Sequence, residues 1–151
     1  MQDELVFLAL CDEVKVQVVD EKMDWKKVSL LGLWWRWVSD HFPTRAAFDV
    51  FTVWRKANPQ STQGGVRDFA IVVYGTPAAF SKMQHRALGQ FTGRIRLSSG
   101  KGALVVDPFE DVYGHVAHFD LDLPFPGNYE LEFYLDGVLS HTHTFEVAPL
   151  D

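Results

Sequence analysis

The side chains best placed to do chemistry are histidines. His141-Thr142-His143 sets two imidazoles two residues apart. On a strand such residues share a face, so both rings can reach one metal ion. A third ligand has to come from elsewhere: His115, His118 or an aspartate of a neighbouring strand. The pair also shares parity with Leu139, Phe145 and Val147. The plainer reading is therefore two satisfied or half-exposed histidines at the end of a hairpin, and it is preferred over a metal site. His115 and His118 lie three apart, which matches a helix face. Their segment alternates as a strand, so no chelation is expected there. Asp107, Glu110, Asp111, Asp120 and Asp122 lack a calcium-loop pattern and read as a solvated acidic face.

Nucleophile chemistry has little to stand on. Cys11, the only cysteine, sits in Leu8-Ala9-Leu10-Cys11-Asp12 with apolar neighbours and no adjacent base, which predicts a buried, inert thiol. Gly-x-Ser-x-Gly, Gly-x-Gly-x-x-Gly and phosphate-cradling glycine loops are all missing from the sequence. Gly100-Lys101-Gly102 is only a turn. The sequence thus reads as non-enzymatic, with no cofactor expected.

Aromatic residues offer a different kind of chemistry. Trp34, Trp35 and Trp37 fall within four positions of residues 28–43, and Trp25 and Trp54 complete the set of five. Exposed tryptophan beside arginine anchors protein interfaces, and tryptophan also stacks on sugar rings. Core filling is the simplest use of any one ring. Strict alternation puts Leu31, Leu33, Trp35 and Trp37 on one face and Leu30, Gly32, Trp34 and Arg36 on the other. Both faces are mostly apolar, as in a strand covered on two sides. The first set is expected in the core. Trp34 and Arg36 are expected on a second face that meets a helix, a loop or a partner.

The elements that must position these groups are strands. A chain of 151 residues with 47% hydrophobic and 14% aromatic content can bury one ordinary core, and aromatic excess suits pleated surfaces. Residues 4–19, 28–38 and 46–55 read as strands. So do residues 69–74, 91–97, 103–106, 115–123, 129–135 and 138–147. Phe51 and Val53 make the second face of 46–55 partly apolar as well. Residues 20–27 form a polar turn that carries Trp25, and 56–65 form a loop rich in turn formers. Ser98-Ser99-Gly100-Lys101-Gly102 reads as a hairpin turn, and Asp136-Gly137 as a two-residue one. Thr76 as N-cap, Pro77 at the first helical position and Gly89 as a stop predict one short helix around 77–88. The expectation is a single all-β domain over residues 1–151: an antiparallel two-sheet β-sandwich of immunoglobulin-like character. Tyr129, after Gly127-Asn128, is placed to be its corner tyrosine.

The net charge of −6 argues against nucleic acid as a partner, and the basic trio Arg94, Arg96 and Lys101 has little aromatic interleaving. The apolar run 5–10 is too short to span a bilayer and follows Asp3 and Glu4, so neither membrane nor signal peptide is expected. A cytoplasmic setting fits the single thiol.

Leu5-Val6-Phe7-Leu8-Ala9-Leu10-Cys11-Asp12, Gly32-Leu33-Trp34-Trp35-Arg36 and Phe42-Pro43 resemble a family of short, uncharacterised bacterial proteins. Gly127-Asn128-Tyr129-Glu130-Leu131 and Leu135-Asp136-Gly137 extend the resemblance to the other end of the chain. The middle, from about residue 58 to 122, is covered poorly, and Trp35 and Trp37 depart from the pattern. The resemblance implies a small β-rich bacterial protein and brings no catalytic residues. The first functional expectation is a protein-interaction module or assembly subunit, self-associating or partnered, with Trp34, Arg36, Trp25 and Trp54 as interface candidates. The alternative is a small-ligand or carbohydrate-binding module using Trp25, Trp34 or Trp54. A metal-dependent enzyme at His141 and His143 ranks third.

Overall fold

The structure, a computed structural model, describes residues 3–20, 25–56, 66–77, 86–96, 104–107 and 112–150. Among the described residues the chain is all-β, strands joined by turns and bends, with no helix. Ten strands follow one another: β1 (Glu4–Asp20), β2 (Trp25–Trp34), β3 (Arg36–Ser39), β4 (Thr44–Arg55), β5 (Val66–Pro77), β6 (Arg86–Arg96), β7 (Leu104–Asp107), β8 (Val112–Leu123), β9 (Gly127–Leu135) and β10 (Val138–Pro149). They form two five-stranded sheets, ordered β2-β1-β4-β8-β7 and β3-β10-β9-β5-β6. No helix of the described residues is long and apolar enough to cross a membrane.

A common core draws on both sheets. Phe48, Val50 and Trp54 of β4 and Tyr113, Ala117 and Phe119 of β8 meet Phe69, Ile71 and Val73 of β5, Leu131 and Phe133 of β9 and Phe145 of β10. In β9 the core residues alternate with more exposed ones, its odd positions being buried throughout, whereas β4 is buried on both faces from Phe48 to Trp54. Tyr129 is fully buried, and its hydroxyl donates to the Phe125 carbonyl at 2.7 Å, closing the turn into β9.

The first sheet is apolar on its other face too. Cys11, Val14, Phe51, Val53 and Val112 are buried there as a second cluster, with Val28, Leu30 and Val116 packed against it. The outermost strands β2 and β7 approach with Cα atoms within 8 Å, so the sheet curls around this cluster. That curl is the reason β1 and β4 read as apolar on both sides.

Three expectations change. The helix around 77–88 gives way to strand at both ends: β5 runs through Thr76 to Pro77 and β6 begins at Arg86, while 78–85 lie outside the described residues. Pairing of β5 with β6 and β9 outweighs the local capping signals. The two runs flanking Gly100-Lys101-Gly102 do not form a hairpin, since β6 and β7 belong to different sheets. The ladders are not all antiparallel either, because β3 runs parallel to β10, with Trp37 opposite Val147. The Asp136-Gly137 turn has φ of 50° and 80°, the left-handed pair that a two-residue hairpin needs. It is pinned by the Asp136 amide donating to the Asp68 carbonyl and the Asp68 amide donating to Asp136 Oδ1.

Candidate functional site

The aromatic stretch is where the chain leaves one sheet for the other. Along β2, Val28 and Leu30 face the second cluster, whereas Trp34, of the same parity, faces the common core. The inversion occurs at Gly32, whose φ is +70°. L side chains rarely adopt that conformation, and a Cβ here would also overlap the Asp12 carboxylate of the paired strand. A bend at Trp35 then redirects the backbone into β3. Residues on either side of it, three apart rather than two, both turn inward. Trp34 and Trp37 meet edge-to-face at 5.3 Å, and Trp34 contacts Phe48 at 5.2 Å and Phe145 at 5.4 Å in the same manner.

Trp35 has no inward direction left and is 82% exposed. Leu33, at 59%, and the less exposed Leu31 and Val38 flank it along the crossover. At the far end the Leu150 amide donates to the Ser39 carbonyl at 2.8 Å, bringing another exposed leucine alongside. Arg36 lies next to Trp35 and reaches Glu146 Oε1 at 3.5 Å, a loose pair with both side chains about half exposed. Strict alternation therefore misplaced both rings: Trp35 is outside, and Trp34 packs against the core. Gly32 was the available signal, because a glycine inside a strand often marks a bulge or bend.

The other interface candidates separate. Trp54 is fully buried, with Nε1 donating to Thr52 Oγ1 at 2.9 Å, so it presents no surface. Trp25 begins β2, a strand rather than a turn. A row of rings built on Trp34 and Trp54 is absent, since both point inward.

His141 and His143 do share a face, beside Phe133 and Leu131 of β9 and in line with Phe145. The His141 ring lies 6.0 Å from that of Phe133. Burial, with His141 adding to it, holds the His143 imidazole below its ordinary value and so favours its neutral form. Among the described residues no three His, Cys, Asp or Glu side chains come together as a metal site. His115 and His118 diverge as their spacing predicts. His115 is buried against the Phe69 ring at 4.3 Å, and burial followed by the nearby His118 pushes its pKa down to about 4. His118 is exposed, and its Nδ1 meets Asp49 Oδ1 at 2.5 Å.

Asp49 is the polar residue that alternation alone did not single out. It is buried inside the curled sheet, where its Oδ2 accepts from the Val14 amide at 2.8 Å. The β1–β4 ladder ends at Cys11 opposite Asp49, so the carboxylate takes over where backbone pairing stops. Cys11 lies beside it, fully buried. Burial first, then the charges of Asp49 and Asp12, push its thiol up, away from the nucleophilic thiolate. Asp120 and Asp122 of the acidic stretch are held by Arg45 at 2.7 and 3.2 Å, across the β4–β8 ladder.

No protein-family profile matches the chain, and no curated protein matches it. Among solved structures, it is similar to the Pseudomonas fluorescens alkylpurine DNA glycosylase AlkC bound to DNA containing an abasic site analog. The identity is 8%, over 93% of this chain and 30% of that one, with a TM-score of 0.37. The chain thus spans under a third of that protein, and at this score the likeness carries no argument about fold or function.

Proposed function

We propose that this chain is an immunoglobulin-like β-sandwich acting as a non-enzymatic protein-interaction module, and that the crossover from β2 to β3 is its contact surface. The sandwich reading is supported by the strand order, by the parallel pairing of β3 with the last strand, and by the buried Tyr129 bonded back to Phe125. A cytoplasmic setting goes with it, as the one thiol is buried and needs no oxidising compartment.

The single observation behind the interaction reading is Trp35. Two neighbouring tryptophans fold inward, while this one stands at 82% exposure between exposed leucines and an arginine. Leaving so large an apolar ring in water forgoes about 1.5–3 kcal/mol of burial, which a partner surface can recover. The crossover supplies the anchor type enriched in interfaces, with a charged rim from Arg36 and Glu146.

A photo-crosslinking residue at position 35 tests this in the source cell. The expected outcome is a discrete protein adduct, lost when the same probe sits at the exposed Lys15 on another face. Trp35→Ser should weaken that partner by about tenfold or more. Equal crosslinking from both positions, or a partner unaffected by Trp35→Ser, removes the crossover from the interface.

A further inference from the structure

The two histidines that the crossover surface leaves unused lie on an open sheet edge. β10 pairs with β9 along its length, but with β3 only from Glu146 to Pro149. Among the described residues, the other edge of 138–145 therefore has no ladder partner. Its sequence, Val-Leu-Ser-His-Thr-His-Thr-Phe, carries no lysine, no acid and no proline to blunt it. The one irregularity, between Leu139 and His141, leaves 141–145 regular.

His141 and His143 sit within this regular part, on one face, next to Phe133 and Leu131. Both are partly buried rather than fully solvated. As a metal site the pair is half a set, because zinc takes four ligands and the described chain supplies no third nearby. Half a set on an open edge can be completed by its own copy. In an antiparallel two-fold pairing centred on Thr142, His141 lies opposite His143 of the second copy, and His143 opposite His141. Directly opposite side chains have Cβ atoms about 4.5–5.5 Å apart on the same face. Four imidazoles thus converge from two strands. A short edge pairing is weak by itself, so the ion is what fixes it.

We propose that His141 and His143 form half of a divalent-metal site that a second copy of this chain completes through antiparallel pairing of the β10 edges. The proposal is independent of the crossover as a contact surface. The ligand class is a borderline ion that favours imidazole, with zinc as the probe.

The test uses the full chain, freed of any affinity tag, with zinc chloride titrated while mass is followed by light scattering and metal content by native mass spectrometry. The expected result is a monomer that becomes a dimer holding one zinc per two chains, with cobalt giving the visible absorption of a tetrahedral site. His141→Gln or His143→Gln should each weaken zinc-driven dimerisation by about tenfold or more. If a variant does not fold, the wild-type stoichiometry decides alone. One zinc per chain, no uptake at micromolar zinc, a dimer that forms without taking up metal, or dimerisation that persists with both histidines replaced would each overturn the proposal.

Discussion

The core shared by the two sheets and the cluster inside the curled first sheet are built from opposite faces of the same strands, yet they differ in kind. The shared core is made of large rings: Trp54, Tyr113, Tyr129, Phe48, Phe69 and Phe133 are all essentially fully buried. The second cluster is small and aliphatic apart from Phe51. It includes a thiol and a carboxylate, and is open enough that Phe7, stacked edge-on to Phe51, remains half exposed. One face of β4 thus holds the two sheets together, while the other only holds one sheet in its curl. Stability should therefore be concentrated on one side of a single strand.

The largest expected effect tests that asymmetry directly. Trp54→Ala removes a fully buried ring packed edge-to-face on Phe69 at 5.7 Å. It should destabilise by about 3–5 kcal/mol in urea unfolding. Phe51→Ala, three residues away on the other face, should fall at or below about 3 kcal/mol, because a small, partly open cluster can collapse onto the space. Equal losses would mean that the two clusters form one cooperative unit.

Acid should act mainly through the shared core. The pKa of His115 is about 4 when folded, against about 6.5 for an unperturbed histidine. Between those values the unfolded chain binds a proton that the folded chain refuses. The contribution is therefore intact above pH 6.5 and is lost as the pH falls toward 4, by up to about 3 kcal/mol. Unfolding midpoints measured from pH 7.5 to 4.5 for wild type and His115→Gln should diverge over that window, with the variant showing the flatter profile. Parallel profiles would place the acid sensitivity elsewhere.

In the second cluster the comparable polar group is Asp49. Asp49→Ala leaves the buried Val14 amide without its acceptor and should destabilise by about 1–3 kcal/mol. Asp49→Asn keeps an acceptor oxygen and should recover most of that. If the two substitutions are equally harmful, charge rather than the Val14 bond is what matters.

How readily each region could be read from sequence follows from how many faces its strands bury. β9 is covered by a partner sheet on one side, so its alternation states its burial directly, and the Asp-Gly turn gives its end. β4 is covered on both sides from Phe48 to Trp54, so its continuous apolar run signalled burial but not the curl that causes it, whereas the similar run of β1 is buried only from Ala9 to Cys11 and leaves Val6 and Phe7 exposed. In β2 the alternation is inverted at Gly32 and broken at Trp35, and a period of two has no means of carrying across either event. The turn residues before Leu104 marked a reversal without saying that the chain changes sheets there. Among the site residues, the shared face of His141 and His143 follows from spacing alone. The exposure of Trp35 follows from the inversion at Gly32, and the inward turn of Trp37 from the bend at Trp35, neither of which a period of two records.

The smallest predicted effect is also the one that best isolates the crossover. Trp34 and Trp35 are adjacent in sequence, but one packs on Phe48, Phe145 and Trp37 while the other faces water. Trp34→Ser should therefore destabilise by about 3 kcal/mol or more and blue-shifted emission should be lost with it. Trp35→Ser should change stability by no more than about 0.5 kcal/mol and remove the red-shifted, quencher-accessible component instead. The two rings are consecutive in the chain, Trp34 closing β2 and Trp35 at the bend that follows it, so what separates them is the direction the backbone gives each. A destabilising Trp35→Ser would show that this ring is covered in solution by the chain itself, and the crossover would then be a structural seam rather than a contact surface.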